Sequence, residues 1–295
     1  MTYREALEEA VKYLDGRQIA DAAADARYLM EYACSMSRAQ YLMRMRETMP
    51  EAEYGCYREL LQRRGEHIPL QHIIGEQEFM GLPFFVNDQV LIPRQDTEIL
   101  AEQALQKAGA GMRALDLCTG SGCIIISLVK LCPGLFGTGS DLSPGALRVA
   151  EENARRLNAE VTFVESDLFE GIRGSFDLIV SNPPYIPSAQ IECLEDEVRL
   201  HDPRMALDGR EDGLYFYRRI IGESGPYLNP GGWLMFEIGS DQGEAVADLM
   251  RRGAYTQVQV IRDLAGLDRV VAGRRTGCAE PSVFEMSERE EGKEE

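Results

Sequence analysis

At 295 residues the chain has room for one large domain and a small one. Its 44% hydrophobic and 27% charged content is ordinary for a soluble globular protein, and no apolar run approaches the ~20 residues of a membrane helix. Against 31 basic residues stand 49 acidic ones, and a net charge of -18 repels a phosphate backbone, so no direct nucleic-acid binding is expected.

The 7 cysteines, at 34, 56, 118, 123, 132, 193 and 278, form no Cys-x-x-Cys pair, and His67, His72 and His201 form no metal pattern. Both point to reduced thiols and no metal. With no apolar signal at the N-terminus, a cytoplasmic location and no membrane contact are expected.

Residues 1–75 read as a helical domain. Thr2 with Glu5 makes a capping box, followed by Ala6, Leu7, Ala10, Val11 and Leu14 on one face, with Gly16 as a stop. Asp21 is placed to cap a second helix, Ser37 with Gln40 to start a third, and Pro50 to open a fourth that closes at Gly65. Twelve acidic and ten basic residues nearly balance here. A near-neutral module on an acidic chain suits protein recognition. Residues 76–98 read as a β-hairpin connector whose turn falls at Asn87-Asp88. A helix is expected from Ile99, capped by Asp96 or Thr97, with Arg94 and Glu98 as a surface ion pair.

From residue 99 to 276 the pattern alternates strand and helix. Strands end at Asp116, Asp141, near Asp167 and before Asn182; Trp233–Ile238 makes a fifth, and residues 258–261 and 269–272 a closing antiparallel pair. That implies an α/β fold, a doubly wound, Rossmann-like sheet with helices on both faces. Gly120 and Gly122, in the turn Cys118-Thr119-Gly120-Ser121-Gly122, let a ligand approach backbone at a strand-to-helix turn. Asp141 lies where a carboxylate accepts from ribose hydroxyls, though each Asp is also placed to cap its following helix. The turn and Asp141 suit any nucleotide. Three details favour S-adenosyl-L-methionine over a dinucleotide: the turn is not a full G-x-G-x-x-G, Asp116 suits a cationic sulfonium, and Asp167 offers an acceptor near an adenine amino group.

The strand Phe176–Val180 stops at Ser181-Asn182-Pro183-Pro184-Tyr185, because two prolines cannot continue a central strand. A planar amide or aromatic amine is a poor nucleophile until its N–H bonds are held by acceptors. The Asn182 side-chain oxygen and the Pro183 carbonyl are candidates, with Pro184 stiffening the loop and the Tyr185 ring lying against the flat target. The plainer alternative is a Pro-Pro turn in which Asn182 bonds its own backbone.

Leu115–Gly122, Asp141, Ser166-Asp167-Leu168-Phe169 and Ser181–Tyr185, preceded by Gly75-Glu76, Phe79–Leu82 and Leu91–Glu98, closely resemble the protein-(glutamine-N5) methyltransferases of the PrmC/HemK type over about residues 1 to 275. The resemblance implies a seven-stranded methyltransferase sheet. It also implies methyl transfer from S-adenosyl-L-methionine to the glutamine of the Gly-Gly-Gln motif in peptide chain release factors, by a monomer. Carried over by position, Cys118, Thr119, Gly120, Ser121 and Gly122 wrap the methionine part of the cofactor. Asp141 holds the ribose, Asp167 and Leu168 flank the adenine, and Asn182 touches cofactor and glutamine. Asn182, Pro183 and Tyr185 would carry the chemistry, and Pro184 completes the substrate pocket. Cys118 departs from the usual first glycine of the loop, and Leu168 from the tryptophan of some relatives. Residues 199–214, with His201, look like a loop beside the pocket. Two alternatives stay open: an adenine-N6 methyltransferase of nucleic acid, and a non-catalytic binding module of the same fold. Residues 277–295, with seven acidic and two basic side chains, are expected to be disordered.

Overall fold

The computed structural model describes residues 1–276, so the acidic stretch 277–295 lies outside the described residues. Five helices open the chain: α1 (Tyr3–Asp15), α2 (Ala22–Ala33), α3 (Arg38–Arg44), α4 (Glu51–Gly65) and α5 (Leu70–Ile74). Both capping boxes form: the Thr2 hydroxyl accepts from Glu5 N while Glu5 accepts from Thr2 N, and Ser37 and Gln40 do the same. Asp21 precedes α2 but caps nothing with its side chain. Its backbone, at φ -106 and ψ 37, lacks the extended conformation that turns a cap side chain onto the first-turn N–H groups. The apolar faces close on one another around Tyr3, Leu14, Leu29 and Tyr57, whose hydroxyl donates to Ala26 O at 2.8 Å. In this core Arg64 Nε donates to Asp25 Oδ2 at 2.6 Å, both side chains being buried. Arg64 also reaches Glu197, far along the chain.

The connector differs from expectation. Strand β1 (Glu76–Phe79) pairs antiparallel with β2 (Leu82–Phe85), so the turn is Met80-Gly81, not Asn87-Asp88. Both turn residues have positive φ, 52° and 72°, the left-handed pair that matches the twist of a two-residue hairpin. Val90–Ile92 forms no strand. The next helix, α6 (Gln95–Leu105), begins four residues before Ile99 and has Arg94 at its N-cap with no side-chain cap. Asp96 and Thr97 therefore lie inside its first turn. Arg94 and Glu98 do not pair either: Arg94 Nη2 donates to Asp202 Oδ2 at 2.8 Å, and Glu98 Oε1 accepts from Met80 N at 2.6 Å.

The large sheet comprises β3 (Arg113–Leu117), β4 (Phe136–Asp141), β5 (Val161–Glu165), β6 (Phe176–Ser181), β7 (Leu228–Glu237), β8 (Tyr255–Arg262) and β9 (Asp268–Arg275). Its order is β5-β4-β3-β6-β7-β9-β8, with β3 to β7 parallel and β9 antiparallel to both β7 and β8. Helices α7 (Cys123–Leu131), α8 (Pro144–Leu157), α9 (Asp196–His201), α10 (Arg204–Leu207), α11 (Tyr215–Glu223) and α12 (Gly243–Arg252) complete the order. Alternating strand residues feed two cores. Leu115, Leu117, Ile179 and Phe236 pack under α11 and α12, whereas Ala114, Leu178, Val180 and Met235 pack under α6 and α7. The chain runs outward from β3 to β5, then returns to β6 on the other side. The strand order reverses between β3 and β6, and ligands of such sheets bind at the carboxyl ends beside that point.

The buried ion pair carries a stability prediction. Arg64→Ala leaves Asp25 unpaired, and burial already holds the Asp25 pKa above its usual value. The variant is expected to lose about 3–5 kcal/mol in urea denaturation, with Asp25→Leu in the same chain recovering most of it. A loss below ~1 kcal/mol for Arg64→Ala would mean that water replaces the guanidinium.

Candidate active site

A single cavity gathers the carboxyl ends of β3, β4, β5 and β6, with walls from the connector and from the segment around α10. Cys118, Thr119, Gly120 and Ser121 line it from the β3–α7 turn. Gly120 has φ +55 and open space where a Cβ would stand, so backbone is bare to the cavity. Gly122, also expected here, does not line it. A Cβ on Gly122 would sit 2.9 Å from Ile126 and 3.1 Å from Ala150, so this glycine serves the packing of α7 on α8. Cys118 has φ 58, the left-handed region, which accounts for the glycine usual at that place and costs about 1–2 kcal/mol here.

Asp141 closes the turn from the next strand. Its Oδ2 accepts from Gly120 N and its Oδ1 from Ser143 N, both at 2.9 Å, and each oxygen keeps a lone pair for a hydroxyl. Ser166, Asp167 and Leu168 line the cavity from the end of β5. The Asp167 carboxylate is partly engaged, since its Oδ1 accepts from Arg219 Nη1 on α11 at 2.8 Å. Asp116 does not face the cavity. It is fully buried under the amino end of α7, accepts from the Thr119 hydroxyl at 2.6 Å, and is pushed up to about 7 by desolvation. The expectation that it meets a sulfonium is therefore corrected: the carboxylate braces the turn from behind.

Asn182 and Pro184 line the cavity beside Thr97, while Pro183 and Tyr185 do not. Asn182 Nδ2 donates to Thr97 Oγ1 at 3.4 Å. The half-buried Tyr185 ring packs against the core under α11 and α12. Its hydroxyl lies 3.5 Å from Glu237 Oε1, and its carbonyl accepts from Gln242 Nε2 at 3.0 Å. Gly209 and Gly213 press on the same peptide, where a Cβ at Gly209 would come within 2.7 Å of the Tyr185 backbone. Pro203, with Met205 and Ala206 of α10, lines the cavity, so the segment expected as a loop is partly helical there, and His201, at the end of α9, does not line it.

Several residues were not singled out by sequence. Glu237, at the end of β7, is buried behind Asn182 with its pKa raised to about 7, burial being the main cause. Asn153, buried on α8, donates to Phe85 O at 3.0 Å and Ser121 O at 2.9 Å, tying the hairpin to the β3–α7 turn. Phe216 adds an aromatic wall. Among the described residues no helix is long and apolar enough to cross a membrane, and no group of three or more His, Cys, Asp or Glu is placed to hold a metal.

This sheet, with a bare-backbone turn after its first parallel strand, a carboxylate after the second and an Asn-Pro-Pro-Tyr turn after the fourth, defines a methyltransferase of the Rossmann-like class. A solved methyltransferase from Pyrococcus furiosus shares the fold, with a TM-score of 0.51 and 17% identity, covering 67% of this chain and 91% of that one. Residues 5–75 match the PrmC N-terminal domain and residues 94–195 the methyltransferase small domain. The release factor glutamine methyltransferase of Geobacter sulfurreducens is 43% identical over 92% of this chain and 96% of its own. That of Moorella thermoacetica is 44% identical over 91% and 97%. The chain belongs to the release factor glutamine methyltransferase family.

The two glycine environments separate by substitution. Gly120→Ala meets only the left-handed backbone penalty, about 1–2 kcal/mol. Gly213→Ala adds a clash with the Tyr185 carbonyl and with Gln242 Nε2, and is expected to lose about 2–5 kcal/mol. Equal losses in chemical denaturation would show that the turn at Tyr185 yields without cost.

Proposed function

We propose that this chain transfers a methyl group from S-adenosyl-L-methionine to the side-chain amide nitrogen, N5, of the glutamine in the Gly-Gly-Gln motif of peptide chain release factors, acting as a monomer in the cytoplasm. The observation that carries this reading is Asn182 in the wall of the one cavity that the Asp141-braced turn also lines. The family's relatives bear the matching name.

The cavity fits the cofactor. Gly120 leaves open backbone, Asp141 keeps free acceptor capacity on both oxygens, and Leu168 gives an apolar wall. Cys118 to Ser121 would hold the methionine part, Asp141 the ribose hydroxyls, and Asp167 with Leu168 the adenine. Gly122 would act by keeping α7 close. When bound, S-adenosyl-L-methionine supplies an electrophilic methyl carbon. The rest falls to the chain. Asn182 Oδ1 and the Pro183 carbonyl each accept one N–H of the glutamine amide, which fixes its plane and aims the nitrogen's face at the methyl group. As the nitrogen gains the methyl it becomes positive, then loses one N–H proton to solvent. Two preorganised acceptors stabilise that charge as it grows. Pro184 and Tyr185 hold the turn; the Tyr185 ring supports it from the core side. Helices α1 to α5 would recognise the protein around the glutamine.

Methyl-labelled cofactor offered with intact release factor, or with DNA, tests the substrate. Label is expected in the Gly-Gly-Gln glutamine alone; label only in DNA, or in neither, overturns the reading. Asn182→Ala is expected to slow single-turnover transfer by about 10²–10³ at saturating cofactor, the scale of losing one transition-state partner. Near-normal transfer would reduce Asn182 to a shaper of the turn.

A further inference from the structure

An asparagine amide has two faces that differ only in which atom donates. For Asn182 to accept from a substrate N–H, its oxygen must point into the cavity and its NH₂ away. Nothing in the Asn-Pro-Pro-Tyr turn itself enforces this. Thr97 does not enforce it alone, because a hydroxyl both donates and accepts and so tolerates either orientation. If the amide turned over, its NH₂ would face the substrate NH₂, donor against donor.

Behind Asn182 stands Glu237. The parallel register pairs Ser181 with Phe236, so the next step along each strand sets position 182 beside position 237. The Glu237 side chain is buried, and the Thr97 hydroxyl and the Asn182 amide both face its carboxylate and pull its pKa down against burial. Its Oε1 lies 3.5 Å from the Tyr185 hydroxyl, whereas Oε2 is buried with no partner at hydrogen-bonding geometry. Arg269 is the cation that faces it, yet that guanidinium is bridged to Asp96 at 3.0 Å and to Asp263 at 3.1 Å, and none of its nitrogens reaches Glu237. Asp96 adds like charge from α6; Tyr217, whose hydroxyl donates to the Glu237 carbonyl at 2.9 Å, and Cys123 complete the surroundings. Glu237 is thus a buried carboxylate without a salt bridge, and its open acceptor sits behind the amide.

We infer that Glu237 is a positioning residue for the glutamine pocket: its carboxylate accepts the Asn182 Nδ2–H and thereby holds the Asn182 Oδ1 toward the bound amide. This rests on the reading that Asn182 receives the substrate. An ionised carboxylate is acceptor-only, so it admits one orientation of the amide, and Thr97 is then left to accept from the second N–H. Protonation removes the bias, since a carboxylic acid also donates. With a pKa of about 7, Glu237 is ionised above that value and protonated below it, so turnover climbs as pH rises through about 7.

Glu237→Gln keeps the shape and removes the acceptor-only character. It is expected to lower kcat for release-factor methylation about ten- to a hundredfold, with cofactor affinity unchanged and the pH limb near 7 abolished. Asn182→Asp in the otherwise native chain sets two carboxylates together and is slow. Combined with Glu237→Gln it restores a donor–acceptor pair with the roles exchanged, and the double variant turns over faster than Asn182→Asp alone. A purely structural Glu237 gives no such rescue. Wild-type kcat for Glu237→Gln, or a double variant no faster than Asn182→Asp, overturns the inference. A slow Asn182→Ala beside a fast Glu237→Gln fails this inference only; wild-type turnover by Asn182→Ala fails the underlying reading as well. Should Glu237→Gln not fold, the side-chain amide NMR signal of Asn182 in the native protein decides. It is expected to shift between about pH 6 and 8, and a signal fixed across that range overturns the proposal.

Discussion

The end of β6 is the constraint on which the site depends. A central strand flanked by β3 and β7 has ladder partners on both sides, and a residue without an N–H cannot extend that ladder. Pro183 and Pro184 supply that stop immediately after Asn182. The chain then has to leave the sheet over the carboxyl ends, and the fold spends several contacts on holding it there. Gln242 binds the Tyr185 carbonyl, Gly209 and Gly213 lie against its backbone, and the Ile186 carbonyl accepts from Gly209 N at 2.9 Å. A loose turn would let the Asn182 side chain wander by more than the fraction of an ångström that positioning chemistry tolerates.

That precision costs solvation. Asp116 and Glu237 are carboxylates taken wholly out of water, each raised to about 7, and each has one oxygen with no partner. Both stand one layer behind a residue that lines the cavity: Asp116 behind Thr119, Glu237 behind Asn182. At these two points the wall of the cavity is a small neutral side chain, Thr119 or Asn182, with a buried carboxylate behind it, whereas Asp141 and Asp167 face the cavity directly. A buried polar group of this kind destabilises the fold unless it is satisfied, so its presence in an otherwise apolar core marks where geometry is being held.

Much of this was legible in the sequence because local signals and tertiary demands agreed. Thr2 with Glu5 and Ser37 with Gln40 each cap a helix as their spacing implies. The strand ends at Asp141 and Asn182 lie where short apolar runs stop. Disagreement arose where a long-range partner outbid a local one. Asp96 and Thr97 look like caps, yet Arg269 takes the first and Asn182 the second. Asn87-Asp88 looks like a hairpin turn, yet the pairing of Phe79 with Leu82 places the turn at Met80-Gly81, with Met80 held at positive φ. Glu237 gave no signal, since a lone glutamate inside the run Trp233–Ile238 reads as an outward-facing strand position. Only the pairing of β7 with β6 puts it behind Asn182. Tyr185 packs against the core beside Glu237, a contact its position in the motif does not announce.

The helical domain enters the same geometry through charge. Arg64 joins Asp25 inside the helical core to Glu197 on α9. A few residues on, Asp202 leaves α9 and pairs with Arg94, which lines the cavity at the start of α6. Half-buried His72 on α5 lies near His201 on α9, and desolvation holds His72 below its usual pKa. The segment carrying Pro203 and Met205, one wall of the cavity, is thus tethered to the helical domain at one end and to the sheet at the other. Ion pairs with one buried partner resist stretching more than apolar contacts do, because separating them leaves a charge without solvent. Arg64 on α4 and Asp202 after α9 thus join the helical core and the N-cap of α6 to the segment that carries this wall.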